Sequence, residues 1–236
     1  MTSAFGRALL DHYRGDRETP LRQRDGEETK VHPIDDFYFG EFPDEPAADW
    51  VESWLDGPLL DIGAGAGRDA LYFQDQFETV AIDVDPDLVT LVDERGVADA
   101  RQGDMFALRE AFDRDRFRSV LCIGTQLGLA SSMHGLRSLL GDLAHVTTAD
   151  GTAVVDGYDP EFEGAGEMLG FRDDPTPGLA FRVVSYEYDG TVDPTLLFRL
   201  VSPDRLREAT AGTGWRVADV RRPHDNYYYR AALEKQ

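Results

Sequence analysis

The sequence predicts an α/β fold in which helices flank a doubly wound, mostly parallel sheet. Three observations lead to it. Short apolar runs alternate with helical patterns between residues 59 and 156. A glycine-dense turn joins the first of these runs to the first helix. The last third of the chain changes to alternating β patterns. Strand–helix alternation requires right-handed crossovers and hence parallel pairing. A chain of 236 residues is long enough for one such domain with a sizeable core.

The elements are predicted in order from their own patterns. Residues 3–13 have one apolar face and predict a helix, whereas the charged segment 16–30 predicts a loop. The aromatic segment 32–40 precedes the sheet, where either a substrate-covering cap or packing against the core is expected. Residues 1–50 are therefore expected to form a helix and a cap, and residues 51–236 the main domain. Strands are predicted at 59–62, 79–83, 98–102, 120–123 and 151–156, and helices at 47–55, 68–77, 86–94, 106–112 and 136–147.

The C-terminal third predicts antiparallel structure. Two β patterns, at 181–188 and 195–201, flank the turn-forming pair Asp189-Gly190 and predict an inserted β-ribbon. Ser202 followed by Pro203 is typical of a helix start. The chain is then expected to end in an antiparallel hairpin, with strands at 215–221 and 227–233.

The turn after the first predicted strand is the most informative stretch. It has the pattern Asp-x-Gly-x-Gly-x-Gly, formed by Asp61, Gly63, Gly65 and Gly67, with Arg68 directly after it. Glycine lets the backbone turn tightly and lets a ligand approach the main chain. The free N–H groups of the following helix point to the same place. The pattern therefore predicts a site for a nucleotide-like ligand.

The spacing of these glycines distinguishes between ligands. A dinucleotide fingerprint needs G-x-G-x-x-G, and its third glycine is missing whether the pattern is read from Gly63 or from Gly65. A G-x-x-x-x-G-K-[ST] phosphate loop is also absent from the sequence. A carboxylate two positions before the first glycine would repel a pyrophosphate but suits a ligand with an ammonium and a sulfonium group. The loop therefore favours S-adenosylmethionine over NAD.

Carboxylates after the second and third strands extend this site. Asp83 ends the second predicted strand, where an acid accepts hydrogen bonds from ribose hydroxyls. Asp85 is expected to cap the next helix, and a solvated charge pair at a strand end is the alternative for both. Asp104 lies in the loop after the third strand. There it is expected to accept the adenine amino hydrogen while Met105 and Phe106 border the ring.

Residues 59–151 resemble the class I S-adenosylmethionine-dependent methyltransferases. The glycine loop is similar to their first motif, Asp83 to their ribose-binding acid and Asp104 to their adenine-contacting position. The fourth predicted strand is similar to that of small-molecule enzymes, including glycine N-methyltransferase-like ones, in which a Gly-Asn-Ser-like turn follows the strand. Thr125 and Gln126 stand at the two polar positions of that turn, so the substrate stays open. The resemblance implies a Rossmann-like fold and these cofactor-binding residues: Asp61, Gly63, Gly65, Gly67, Arg68, Asp83, Val84, Asp104, Met105, Gly124 and Thr125.

Methyl transfer from a sulfonium needs alignment and exclusion of water rather than a covalent intermediate, because the methyl group is already electrophilic. Acceptor-facing groups are expected at the carboxyl ends of the strands. The candidates for catalysis are Asp156 and Tyr158, after the fifth strand, and Gln126, after the fourth. His32 and Tyr38 could approach from the cap. Each of three residues also has a purely structural alternative. Asp156 would cap the following turn, Tyr158 would pack against its neighbours, and His32 would merely precede a proline.

The composition is strongly acidic. The formal net charge is −21, from 45 acidic and 24 basic residues, and lysine occurs only at Lys30 and Lys235. Such a surface repels itself at low salt and is screened at high ionic strength, so a halophilic protein is expected. An acidic surface that selects a cationic substrate is the alternative. The charge disfavours nucleic acid, and no Asn-Pro-Pro-Tyr-like motif follows the fourth strand.

The remaining sequence features narrow the class of protein. Cys122 is the single cysteine, so no intrachain disulfide can form, and its apolar strand predicts burial. No Cys or His pair has metal-site spacing, no apolar run is long enough for a membrane span, and no signal-peptide pattern begins the sequence. We expect a cytoplasmic protein without a metal that acts on a small molecule, and a homodimer is compatible with the sequence.

The sequence thus predicts S-adenosylmethionine-dependent methyl transfer to a nitrogen or oxygen of a small molecule. A nucleic-acid or protein methyltransferase is the nearest enzymatic alternative. A non-catalytic S-adenosylmethionine-binding protein is the alternative from another class. A nicotinamide oxidoreductase comes last, because the third glycine of its fingerprint is missing.

Overall fold

The computed structural model describes residues 3–44 and 47–236. Its α-helices are α1 Ala4–Arg14, α2 Ala48–Glu52, α3 Arg68–Phe73, α4 Pro86–Glu94, α5 Leu108–Ala111, α6 Met133–Val146 and α7 Pro203–Thr210. Residues Asp35–Phe39 form a π-helix. Its strands are β1 Arg22–Asp25, β2 Glu28–Val31, β3 Leu59–Ile62, β4 Thr79–Asp83, β5 Ala100–Gln102, β6 Phe117–Cys122, β7 Thr147–Tyr158, β8 Phe171–Asp173, β9 Leu179–Tyr188, β10 Thr191–Val192, β11 Leu196–Val201, β12 Trp215–Arg221 and β13 Tyr228–Lys235.

A central sheet has the strand order β12-β13-β7-β6-β3-β4-β5. The pairs from β7 through β5 are parallel, whereas β13 runs antiparallel to both β7 and β12. This arrangement confirms the predicted mostly parallel sheet with an antiparallel C-terminal hairpin. The chain proceeds from β3 to β4 and β5 on one side, and then crosses over to β6 and β7 on the other.

Both faces of the central sheet are buried, which explains why its strands are continuous apolar runs rather than alternating ones. On one face Leu60 and Ile62 pack in a cluster with Leu139 and Leu143 of α6. On the other face Leu59 packs with residues of α2 and α3. Cys122 of β6 is buried in the core, as its apolar neighbours predict.

Several element boundaries agree with those predicted from the sequence, and others differ by a few residues. Strand β4, helix α4 and strand β12 have the predicted bounds. Helix α3 ends at Phe73 instead of continuing to residue 77. Helix α6 begins three residues earlier than predicted, because the Ser132 side chain accepts a hydrogen bond from the Gly135 N–H and caps it there.

A second sheet is built around β9 and includes the predicted inserted ribbon. Strand β9 pairs antiparallel with β8, β10 and β11, and also with β1, which is joined to β2. The prediction of a loop over residues 16–30 is therefore wrong. Residues 22–31 form a hairpin, and backbone pairing with a strand some 160 positions away is invisible to a local charge pattern.

The N-terminal segment and the inserted ribbon share this second sheet, which we call the cap sheet (β1, β2, β8, β9, β10 and β11). Helix α1 packs against α4 and β9. The segment expected to form a cap is thus continuous with a part of the chain that the sequence assigned to the main domain. The proposed boundary at residue 50 stays a prediction, and Met1, Thr2, Glu45 and Pro46 lie outside the described residues.

Residues 3–44 and 47–236 contain neither a candidate membrane span nor a candidate metal site. None of their helices combines the length and apolar character needed to cross a membrane. Their His, Cys, Asp and Glu side chains form no group of three or more that could hold a metal ion.

Candidate functional site

The candidate site lies at the carboxyl ends of β3, β4 and β6, where the winding of the sheet reverses. Strand β3 has β4 on one side and β6 on the other, so the loops after β3 and β6 leave the sheet in opposite directions. Open α/β sheets bind ligands in the crevice at such a switch point.

The glycine loop between β3 and α3 needs left-handed backbone. Gly63, Gly65 and Gly67 have φ values of +70°, +57° and +76°, a region that costs other L-residues roughly 1–2 kcal/mol. The loop is held against β4, because the N–H groups of Gly63 and Ala64 donate to the Ile82 carbonyl at 2.9 and 3.1 Å. The result is a rigid, side-chain-free turn at the end of β3.

Asp61 is a buried carboxylate just before this loop. It is 3% exposed, and among the described residues its Oδ2 atom has no hydrogen-bond partner. Burial raises the pKa of Asp61 well above its usual range, and the negative charges of Asp69 and Asp83 act in the same direction. A buried acceptor without a partner costs free energy unless a bound group donates to it.

Asp83 has a structural task in addition to its predicted one. Its Oδ2 accepts from the Gly65 N–H at 3.2 Å, and its Oδ1 accepts from the Asp85 N–H at 3.0 Å. Burial raises the pKa of Asp83 to about 6, and these two backbone donors oppose the rise. Asp85 caps helix α4, as predicted, by accepting from the Asp87 N–H. The Asp83 carboxylate therefore ties the glycine loop to the end of β4.

Exposed apolar side chains follow β4 and β5. Val84 is 66% exposed and Phe106 is 48% exposed, whereas Met105 is buried. Asp104 closes its own turn, because its Oδ1 accepts from the Phe106 N–H at 2.8 Å. The predicted cofactor-binding positions thus lie on two neighbouring strand ends that offer apolar surface, and the hydrogen bond from the Phe106 N–H to Asp104 fixes the turn that carries Phe106.

The loop after β6 is fixed by Asp156. Both carboxylate oxygens are engaged: Oδ2 accepts from the Gly124 N–H at 2.7 Å and Oδ1 from the Thr125 N–H at 2.6 Å. The Tyr228 hydroxyl also donates to Oδ2, at 2.9 Å. Burial raises the pKa of Asp156 to about 6. Asp156 is 1% exposed and its carboxylate holds the loop after β6, while the acceptor-facing role that its place after the fifth strand suggests stays a prediction.

Gln126 lies over the glycine loop. An added Cβ at Gly63 would come within 2.6 Å of the Gln126 side chain, so the loops after β3 and β6 touch here. Tyr158 packs edge-on against Tyr227, and burial raises its pKa to about 12, which keeps its hydroxyl protonated at neutral pH. Arg68 donates to Asp69 at 3.0 Å and to the Phe37 carbonyl at 3.2 Å, which connects α3 to the aromatic segment.

Comparisons with known proteins identify this architecture. No family model matches the chain, and neither does any curated protein. The chain is similar to the crystal structure of an S-adenosylmethionine-dependent methyltransferase from Bacteroides fragilis in complex with S-adenosyl-L-homocysteine. The TM-score is 0.81 and the identity 21%, over 99% of this chain and 95% of that chain. The fold is that of the S-adenosylmethionine-dependent methyltransferases.

Two further structures have this methyltransferase fold. The CcbJ methyltransferase from Streptomyces caelestis matches with a TM-score of 0.60 and 16% identity, over 81% of this chain and 94% of that one. An S-adenosylmethionine-dependent methyltransferase from Clostridium acetobutylicum matches with a TM-score of 0.59 and 12% identity, over 75% and 83%.

The cap sheet adds a polar cluster beside the glycine loop of the methyltransferase fold. The Tyr38 ring lies beside Gly65, where an added Cβ would be in ordinary van der Waals contact with it at 3.4 Å. The Tyr38 hydroxyl is 2.9 Å from His32 Nε2, and His32 Nδ1 is 3.0 Å from Gln23 Nε2. Gln23 Oε1 accepts from Arg182 Nη2 at 2.7 Å. Tyr38 and His32, both expected to approach from the cap, are thus brought together.

Gln23 and Arg182 are the members of this cluster that the sequence reasoning missed. Gln23 lies in the segment predicted as a charged loop, where nothing distinguishes it. Arg182 does carry a signal, because it interrupts the otherwise apolar start of the ribbon strand β9, and a lone arginine there indicates a specific partner.

Proposed function

We propose that this protein transfers a methyl group from S-adenosylmethionine to a nitrogen or oxygen of a small molecule. The observation that carries the proposal is the Asp61 carboxylate oxygen, buried and without a partner among the described residues, directly before a side-chain-free glycine turn. An ammonium group fits such an acceptor, and a pyrophosphate does not. The fold supports the same ligand.

The residues around the switch point fit the cofactor one group at a time. Asp61 would bind the ammonium group of the cofactor, with Arg68 nearby. The turn formed by Gly63, Gly65 and Gly67 would let the cofactor approach the protein main chain. The remaining assignments concern the nucleoside: Asp83 and Val84 at the ribose, Asp104 and Met105 at the adenine, and Gly124 and Thr125 at the loop after β6.

When bound, S-adenosylmethionine supplies a sulfonium methyl group that a nucleophile can displace in line. The protein's own contribution is then alignment and exclusion of water, which can lower the barrier by roughly 7–11 kcal/mol. Asp156 holds Gly124 and Thr125 in place, and Gln126 and Tyr158 would orient the acceptor. Tyr158 keeps its proton at neutral pH, so it can donate a hydrogen bond but does not act as a base.

A small-molecule acceptor is supported by the cap sheet and by the charge. The N-terminal segment places Tyr38 against the glycine loop, as a residue that covers a small bound acceptor would be. The net charge of −21 disfavours a polyanionic acceptor. These observations favour a small molecule over a nucleic acid.

The first experiment is calorimetric titration in high-salt buffer with S-adenosylmethionine, S-adenosylhomocysteine and NAD. We expect binding of the first two and not of NAD. Asp83→Ala should raise the Kd of S-adenosylhomocysteine by about ten- to a hundredfold, as expected for loss of a charge-assisted hydrogen bond of roughly 1.5–3 kcal/mol. Asp87→Ala, four residues further on and outside the site, is the matched control.

The outcomes separate the alternatives. If folded wild-type protein binds neither methionine-derived ligand, the proposal is wrong. Binding of both, followed by release of S-adenosylhomocysteine in the presence of small-molecule acceptors, supports the enzyme. Binding without turnover of any acceptor would instead support a protein that senses the cofactor.

A further inference from the structure

One buried arginine of the cap sheet has no acidic partner among residues 3–44 and 47–236. Arg182 is 8% exposed, and the hydrogen bonds of its guanidinium go to the neutral oxygens of Gln23 and Leu169, at 2.7 and 3.1 Å. Arg199, equally buried on the neighbouring strand, pairs with Asp174 at 2.8 Å. Buried charges are normally paired, because an isolated ion is costly to remove from water.

The hydrogen bonds that begin at Arg182 have a fixed direction. A guanidinium can only donate, so Gln23 presents its carbonyl oxygen to Arg182 and its NH₂ group to His32 Nδ1. Since Nδ1 accepts, the proton of the neutral imidazole is on Nε2, which donates to the Tyr38 hydroxyl. Tyr38 is therefore left with its own O–H to donate to a further group.

His32 is not a base in this arrangement. Burial lowers its pKa to about 4, and the Arg182 charge contributes to the shift, so the imidazole is neutral at physiological pH. Its one ring nitrogen without a proton already accepts from Gln23. The chain from Arg182 to Tyr38 consequently presents a positive charge at one end and a hydroxyl donor at the other.

Aromatic rings surround this donor array. His32 lies 5.4 Å from Tyr186 and 5.3 Å from Phe37, measured between ring centroids. The Arg182 charge opposes the effect of burial on the pKa of Tyr38, Tyr158 and Tyr186. Tyr38 brings this cluster to the glycine loop.

We propose that the methyl acceptor carries a carboxylate that pairs with Arg182. The inference rests on the proposed methyltransferase function and narrows its substrate class. A planar guanidinium matches a carboxylate in shape and hydrogen-bond geometry. The local charge thus selects an acid even though the protein as a whole is strongly acidic.

The test compares acids with their uncharged amides on protein saturated with S-adenosylhomocysteine. The probes are acetate with acetamide and benzoate with benzamide, and binding is measured by NMR titration at one fixed ionic strength. We expect the wild type to bind at least one acid about tenfold or more tightly than its amide. Arg182→Gln should abolish the preference, and Arg182→Lys should retain part of it. Arg172→Gln, an exposed arginine on strand β8, is the matched control and should bind as the wild type does.

The affinity of each variant for S-adenosylhomocysteine is measured first. No binding by the wild type would refute the proposed function itself. Normal cofactor binding without any preference for an acid would overturn only the carboxylate inference. A tenfold weaker affinity of Arg182→Gln for S-adenosylhomocysteine would also overturn it, because Arg182 would then serve the cofactor's carboxylate. The wild-type comparison and Arg182→Lys decide the question if Arg182→Gln does not fold.

Discussion

The buried imidazole of His32 makes a prediction about acid stability. In the fold its pKa is lowered from 6.5 to about 4, first by burial and second by Arg182. Between these two pH values the unfolded chain binds a proton that the folded chain does not. The contribution of His32 to the free energy of unfolding must therefore fall as the pH drops from 6.5 towards 4.

The size of this effect follows from the shift. A pKa difference of about 2.5 units corresponds to roughly 3.4 kcal/mol at full protonation, of which about 2 kcal/mol is expressed by about pH 5. Asp83 and Asp156, whose pKa values are raised to about 6, act in the opposite direction: their contribution is present at low pH and lost as the pH rises through 6. Comparison with His32→Gln isolates the histidine, because the carboxylates are common to both proteins.

The assay is urea unfolding of wild type and His32→Gln at several pH values, followed by tryptophan fluorescence. At about pH 7.5 the wild type should be the more stable protein, and its advantage should shrink by about 2 kcal/mol at about pH 5. His224→Gln, which removes an exposed imidazole, is the control and should differ from the wild type by a constant amount. A constant difference for His32→Gln as well would refute the reasoning, because His32 would then be solvated in the folded state.

Three further predictions concern the glycine loop and the surface. Asp61→Asn should raise the Kd of S-adenosylhomocysteine about tenfold or more, because the ligand loses an ionic partner. It should stabilise the protein without ligand, because a carboxylate is no longer buried beside Asp69 and Asp83 with one oxygen unpartnered among the described residues. Calorimetry and thermal unfolding measure the two effects, and equal destabilisation of both states would contradict the prediction. Gly65→Ala should lower the free energy of unfolding by roughly 1–2 kcal/mol, because Gly65 has a left-handed φ. Urea unfolding measures the loss, and Gly26→Ala, at another left-handed glycine outside the site, is the control for backbone strain. Only Gly65→Ala should also weaken cofactor binding. Raising KCl from about 0.2 M to about 2 M should increase the unfolding temperature, since screening relieves the repulsion of a net charge of −21; an unchanged or lower temperature would argue against adaptation to salt.

The central sheet and the glycine loop are predictable because their causes are local in the sequence. Buried parallel strands are apolar throughout, and the glycines from Gly63 to Gly67 are required by their own backbone conformations. Asp85 is recognisable as a cap because the next residue is Pro86, which suits the first turn of a helix.

The role of Asp156 shows where such reasoning ends. Its position after the fifth strand correctly places it beside the loop after β6. The direction of its carboxylate, however, depends on two backbone amides and on Tyr228, a residue 72 positions away. A carboxylate at a strand end is equally suited to contact a substrate or to fix a loop, and only its neighbours decide between the two.

By itself, the sequence determined the α/β class, the parallel core, the glycine turn and the acidic character of the surface, because these follow from composition and from residues close together in the chain. The tertiary structure decided that the charged segment around Gln23 forms a strand, and that Gln23 joins Arg182 to His32 and Tyr38. These contacts span up to 159 positions. A polar side chain gains a partner from any part of the fold, and hydrogen-bond geometry leaves no periodic trace in the sequence.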